Sequence, residues 1–270
     1  MEKTVFTGGV SGLTLKMIAI ATMLIDHIAA VVIKNMYSFV DEDGVYVFTN
    51  AIAYDAYSLM RLIGRMAFPL FCFMLVQGFY HTKSKGKYSL KLVVFAVISE
   101  IPYDLALNGK LFSFTENNVM WTLLLGLLTI WLLDEIRNNP RFLNKSKDER
   151  LWFIATLLRC IGMTTIVMIS MLAAEYLICC DYGAGGIAAI VAIYLLYRHP
   201  LIGFAVAVTL LGLLCSEDEF AALAMLVPLY FYNGKRGWKM KYFFYAFYPL
   251  HLLILYVICY FMGIAGYSAV

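Results

Sequence analysis

The chain has 270 residues, of which 62% are hydrophobic and 14% charged, with a net charge of +3 and a mean hydropathy of +0.78. A water-soluble domain carries nearer a quarter charged residues, so these numbers exclude a single water-facing globule. Strand alternation is absent and long apolar runs recur, and in lipid only helices or closed barrels satisfy the backbone. The expected class is all-α, a polytopic integral membrane helix bundle.

A span needs roughly 20 apolar residues. Nine candidate segments follow in chain order, near 13–33, 61–80, 88–106, 118–134, 158–178, 183–197, 200–214, 219–232 and 242–263. The sixth, seventh and eighth are short, and Gly183, Gly185 and Gly186 weaken the start of the sixth, so the expected range is eight to ten spans. With a cytoplasmic N-terminus and nine alternating spans, the inside segments carry fourteen Lys and Arg and the outside segments only Lys34 and Lys110. That bias fits the positive-inside rule. The net charge is thus an orientation signal, and no basic stripe with interleaved aromatics points to nucleic acid. The lysines of the loop at 83–87 are expected to face anionic lipid heads.

No cleavable leader is read at the start, because the first span is long and carries Lys16 and Asp26-His27. The six cysteines show no zinc spacing, and most are expected to act as small apolar packing. A disulfide from Cys179-Cys180 to Cys215 has nothing further to support it. One transmembrane domain over 1–270 is expected, with a hinge in the polar loop 135–150 around Asn138-Asn139-Pro140.

The informative residues are ionisable ones at membrane depth, which are costly there and tend to be functional. At 1.5 Å rise per residue, His27 lies about 20 Å along its helix, in the outer half. The alternating topology puts Arg61, Arg65, Glu100, Asp104, Asn118 and Thr122 at the same outer level, with Glu175, Asp181 and Tyr182 nearby. Arg61/Arg65 and Glu100/Asp104 are i, i+4 pairs, so each presents two heads on one face. Neighbours on a helix diverge, so Glu100 or Asp104 is the expected partner of His27, while Asp26 is expected against Arg61 or Arg65. His251 is a second histidine at depth, after Pro249, with Tyr245 and Tyr248 on its face. Taken singly, a buried histidine is more often a satisfied core residue than a catalyst. The convergence of several such groups at one depth favours a site.

These residues carry a family resemblance. The stretch from Leu15 to Asp26-His27 resembles the opening of TraX-type membrane proteins. Further matches are Arg61-Leu-Ile-Gly-Arg-Met-Ala-Phe-Pro69, Gln77-Gly-Phe-Tyr-His-Thr82, Ile98-Ser-Glu-Ile-Pro-Tyr-Asp104, Asn118-Val-Met-Trp-Thr-Leu-Leu-Leu-Gly126, Asp181-Tyr-Gly183 and Phe247-Tyr-Pro-Leu-His251, in the same order along most of the chain. The resemblance implies N-terminal acetylation of pilin in one branch, and kinship with transmembrane acyltransferases in which a cation precedes a functional histidine with ten residues between them. Lys16 and His27 have that spacing, close to three helical turns and about 16 Å.

The implied activity is acyl transfer from cytosolic acetyl-CoA to an amine or hydroxyl at the bacterial plasma membrane. His27 is the expected general base, with Asp26, Glu100 and Asp104 as its acidic partners. Lys16, Arg61, Arg65, Asn118, Thr122 and His251 are expected on the donor and oxyanion side, with Lys91 and the 83–87 lysines beside the nucleotide. Direct transfer and an acetyl-histidine intermediate both stay open. So do a pilin-like peptide, an envelope sugar and a lipid as acceptor. No metal is expected. The competing readings are a proton- or ion-coupled transporter built on the same cluster, and a scaffold without activity.

Overall fold

In a computed structural model the described residues are 9–43, 45–139, 149–238 and 240–265. Among them, nine helices run back and forth along the bundle: α1 (Gly12–His27), α2 (Ala51–Gly64), α3 (Ala67–His81), α4 (Lys85–Tyr103), α5 (Val119–Arg137), α6 (Glu149–Leu172), α7 (Gly183–Leu195), α8 (Pro200–Leu214) and α9 (Lys241–Phe261). Among the described residues five helical stretches are long and apolar enough to cross a membrane: Gly12–Tyr37, Ala51–His81, Val119–Arg137, Arg150–Leu177 and Phe243–Phe261. The protein is a helical membrane protein.

Local sequence sets the helix starts. Ser11, Asn50, Ser84 and Asn118 cap α1, α2, α4 and α5, each side chain accepting a backbone N–H of the first turn, which satisfies a donor the helix leaves free. Pro200 opens α8, where its missing N–H costs nothing. The α7 start has no such cap from Tyr182, and Glu175 accepts the Ala184 N–H at 3.0 Å instead. Gly183 holds φ +41° there, and a Cβ would overlap the Glu175 carboxylate.

Three helices widen into π-helix at the same end of the bundle, termed here the far end. Ile28–Ile33 follows His27, Asp104–Asn108 follows Tyr103, and Ala173–Leu177 follows Leu172. Such stretches are rare and cluster at functional sites. Asn117 ties the far end together. Its N–H donates to the Cys179 carbonyl at 2.9 Å, and its carbonyl accepts the Asp181 N–H at 3.0 Å. At the near end, where α1 begins, Val10 pairs with Phe231 and Asn233.

The packed interior runs through Leu15 and Ala19 of α1, Leu70 and Phe73 of α3, Leu127 and Ile130 of α5, Ile187 and Ile190 of α7 and Leu211 of α8, all buried. By contrast only 11% of the hydrophobic window in Arg150–Leu177 is buried. That stretch presents Leu157, Leu158, Ile161 and Ile169 outward, as a lipid-facing helix does.

Two expectations change. The second span does not begin at Arg61. The helical path starts at Ala51 and breaks at Arg65-Met66, because Pro69 has no N–H for the Arg65 carbonyl. The eighth segment is not one α-helix. Glu217–Met225 is 3-10 helix and Leu226–Tyr230 a short α-turn containing Pro228. It still passes from Arg65 at the far end to Val10 at the near end. The loop after the first span contains a hairpin, Ser38–Val40 against Tyr46–Phe48. The six cysteines are free. Of the expected hinge, Asn138 and Asn139 end α5 and 140–148 lie outside the described residues.

Candidate functional site

α1 ends on Asp26 and His27, and the turn places the two side chains against different helices. The Asp26 Oδ2 accepts from the Arg61 guanidinium at 2.5 Å. The contact is close enough that a Cβ at Gly64 would overlap the Asp26 carboxylate, so α1 and α2 meet there only because that residue is glycine. Arg65, one turn on, reaches Glu219 at 3.2 Å and lies beside Tyr182. Glu219 is 1% exposed. A carboxylate so enclosed is tolerable because a cation faces it.

His27 faces the interior of the bundle, and its ring nitrogen Nδ1 lies 2.6 Å from Nε2 of His251. The His251 Nδ1 lies 2.7 Å from the Phe247 carbonyl one turn back on α9. The Phe247 ring stacks on His251 at 4.8 Å. Tyr248 packs edge-on against His27 and tilted against His251, 6.2 and 5.8 Å between ring centres.

The expected partner of His27 is therefore corrected. Neither Glu100 nor Asp104 touches it. Glu100 accepts from Asn118 Nδ2 at 2.5 Å and from Trp121 Nε1 at 2.7 Å. Asn118 in turn donates to the Ala96 carbonyl at 2.9 Å. That set locks the end of α4 to the start of α5. Asp104 is fully buried and accepts from Asn108 and from the Ser113 N–H at 3.0 and 2.8 Å, which closes the loop after α4. The physical reason is register. A carboxylate three or four residues from its own helix end is claimed by the free N–H groups of the next segment, before a distant imidazole can compete. Thr122 is fully buried, with its hydroxyl against the Cys180 thiol.

Lys16 lies elsewhere, at the near end, in a cavity of about 550 Å³. Five cations line it: Lys16, Lys83, Lys87, Lys91 and Arg236. None of them has a carboxylate within ion-pair distance among the described residues. Lys16 sits over the Phe244 ring at 5.2 Å. The lining passes Leu92 and Leu123 and reaches Met120 and Tyr245. Met120 begins α5 beside Asn118, and Tyr245 is one turn before Tyr248. His27 and His251 do not line the cavity. The loop lysines expected to face lipid instead divide their work: Lys83 and Lys87 line the cavity, and Lys85 pairs with Asp134 at 2.6 Å.

Glu219, Trp121 and the pairing of the two histidines are absent from the sequence reading. In the sequence Glu219 is the last of three consecutive acids, Glu217-Asp218-Glu219, between two apolar runs. The available signal was a charge imbalance, since Asp26 could neutralise only one of Arg61 and Arg65. Among the described residues no group of three or more His, Cys, Asp and Glu side chains is placed to hold a metal ion.

A family model described as TraX protein matches residues 11–259. A protein of Dichelobacter nodosus named probable fimbrial assembly protein FimC, serogroup H1, is 29% identical over 272 residues, covering 91% of this chain and 94% of its own length. No solved structure matches the chain. The matched residues contain every side chain of the histidine pair, both arginine ion pairs and the cationic cavity, and the chain belongs to the TraX family.

Proposed function

We propose that this protein is an integral-membrane acyltransferase of the bacterial plasma membrane, moving an acetyl group from cytosolic acetyl-CoA to an amine or hydroxyl acceptor. The near end faces the cytosol, in nine crossings with the N-terminus inside. The observation that carries this reading is the cavity. Five cations, without acidic partners among the described residues, surround open space at the near end, which suits the phosphates of a nucleotide. The apolar part of the lining, Leu92, Leu123 and Met120, suits an extended pantetheine arm directed toward the far end.

In this reading His27 takes the proton from the incoming amine or hydroxyl as it attacks the thioester carbonyl. The carbonyl carbon gains a bond to nitrogen or oxygen, the C–S bond breaks, and the CoA thiolate takes up a proton. General-base assistance of this kind contributes roughly 10²–10⁴-fold. The Thr122 hydroxyl and the Arg61 guanidinium are the proposed groups for the oxyanion, where preorganised donors act most strongly. Glu100 and Asp104 hold the framework, and Asp26 holds Arg61. The relative named for fimbrial assembly supports a pilin-like peptide as acceptor.

The test is incubation of the purified protein with labelled acetyl-CoA and cell-envelope fractions. Release of CoA with label on a fimbrial or pilin-like peptide is expected. Ion uptake into proteoliposomes without CoA turnover would replace the enzyme reading with a carrier.

A further inference from the structure

His251 sits on α9, far from α1 in sequence, and has no part in the donor cavity. Its hydrogen bonds carry more information than its position. A backbone carbonyl can only accept, so the 2.7 Å contact with Phe247 requires a proton on His251 Nδ1. Neither imidazole has a carboxylate within ion-pair distance among the described residues. An imidazolium here would be a buried charge without a counter-ion, next to Arg61, and such charges are strongly disfavoured. With a neutral ring, a proton on Nδ1 leaves a lone pair on His251 Nε2. That lone pair lies 2.6 Å from His27 Nδ1, a hydrogen-bond separation. His27 Nδ1 must then be the donor.

We propose that His251 is the positioning residue for His27: the relay from the Phe247 carbonyl through His251 fixes His27 in its Nδ1–H tautomer, so that His27 Nε2 carries the free lone pair. This rests on the acyl-transfer reading for its catalytic consequence, while the tautomer itself stands on geometry. Other acid–base sites use a carboxylate to orient the imidazole. Here a neutral histidine, anchored by a backbone oxygen, does the same without adding charge to an apolar layer. The Phe247 ring stacked on His251 at 4.8 Å and the tilted Tyr248 ring hold that relay in plane.

Solid-state NMR of the full chain in lipid bilayers, labelled with ¹⁵N-histidine, tests it. His27 signals are assigned by their loss in His27→Gln. The expected spectrum has a protonated Nδ1 and an unprotonated Nε2 on both His27 and His251, with a coupling between His27 Nδ1 and His251 Nε2. A proton on His27 Nε2, or a doubly protonated ring on either residue, overturns the proposal. Two variants add the functional arm. His251→Gln, whose amide oxygen can still accept from His27 Nδ1, keeps the tautomer and most of the CoA release. His251→Leu mixes the tautomers and lowers kcat about 100-fold, within the range for a misoriented base, with KM for acetyl-CoA unchanged. Retention of a single Nδ1–H form in His251→Leu sinks the proposal. If the unaltered protein releases no CoA, the acyltransferase reading fails and the spectrum still decides the tautomer.

Discussion

At the near end Lys16, Lys83, Lys87, Lys91 and Arg236 surround a cavity of about 550 Å³ with no acid in ion-pair contact with them among the described residues. At the far end Arg61 and Arg65 are each closed against a carboxylate, at 2.5 and 3.2 Å. Both regions belong to one bundle and draw on the same residue types, so the difference is one of partner. A cation already paired with a buried acid holds helices together, and its removal strands a charge. A cation left over open space is available to an outside anion. The uncharged histidine pair lies among the closed ion pairs, where a base can work without competing for them.

The largest effect expected is on His27. His27→Ala should lower acetyl-CoA-dependent CoA release by about 10²–10⁴-fold, while the thermal unfolding midpoint in detergent stays close to that of the unaltered protein. A variant that turns over normally would remove the base from the far end and leave only a structural region there.

Next come the closed pairs. Arg61→Gln and Asp26→Asn should each cost about 1–2 kcal/mol of stability, since each leaves one partly enclosed partner uncompensated. The double variant should cost clearly less than the two added together, because it leaves neither charge stranded. Additive losses in chemical or thermal unfolding would mean that Asp26 and Arg61 do not depend on each other.

The open cations should behave in the opposite way. Lys16→Gln combined with Arg236→Gln should raise KM for acetyl-CoA about tenfold at unchanged kcat, the signature of lost uniform binding, and leave unfolding almost untouched. A fall in kcat with KM constant would move Lys16 out of the donor site and break the division between the two ends.

How much of this could be read from the sequence depends on how local each signal is. Apolar length placed α8 at Pro200–Leu214 to the residue, because Pro200 and Cys215 bracket an unbroken apolar run. The same signal missed Ala51–Met60, since Tyr54, Asp55, Tyr57 and Ser58 interrupt the hydropathy there although Asn50 supplies a cap. It also could not tell a 3-10 helix from an α-helix at Glu217–Met225. The pairing of Asp26 with an arginine was legible from charge balance alone. The partner of His27 was not. Glu100 and Asp104 lay at the right depth, yet Asn118, Trp121 and Ser113 had claimed them through local geometry. Depth can be counted along one helix, but azimuth between helices requires the packing.

The finest test uses two lysines separated by one residue. Lys83 is exposed and lines the cavity, whereas Lys85 donates to Asp134 at 2.6 Å, with the same carboxylate accepting from Tyr194 at 3.2 Å and Asn138 at 2.9 Å. Hydropathy and charge treat the two as equivalent. Lys85→Gln should lower stability by about 1 kcal/mol, a partly enclosed pair lying between the surface and buried ranges, and should leave KM for acetyl-CoA alone. Lys83→Gln should change stability by less than ~0.5 kcal/mol and raise that KM about twofold, an effect that shrinks as salt screens the rim. If both variants instead alter stability alike and KM not at all, the loop is a structural tie at every lysine, and the near end loses its claim to an open anion site.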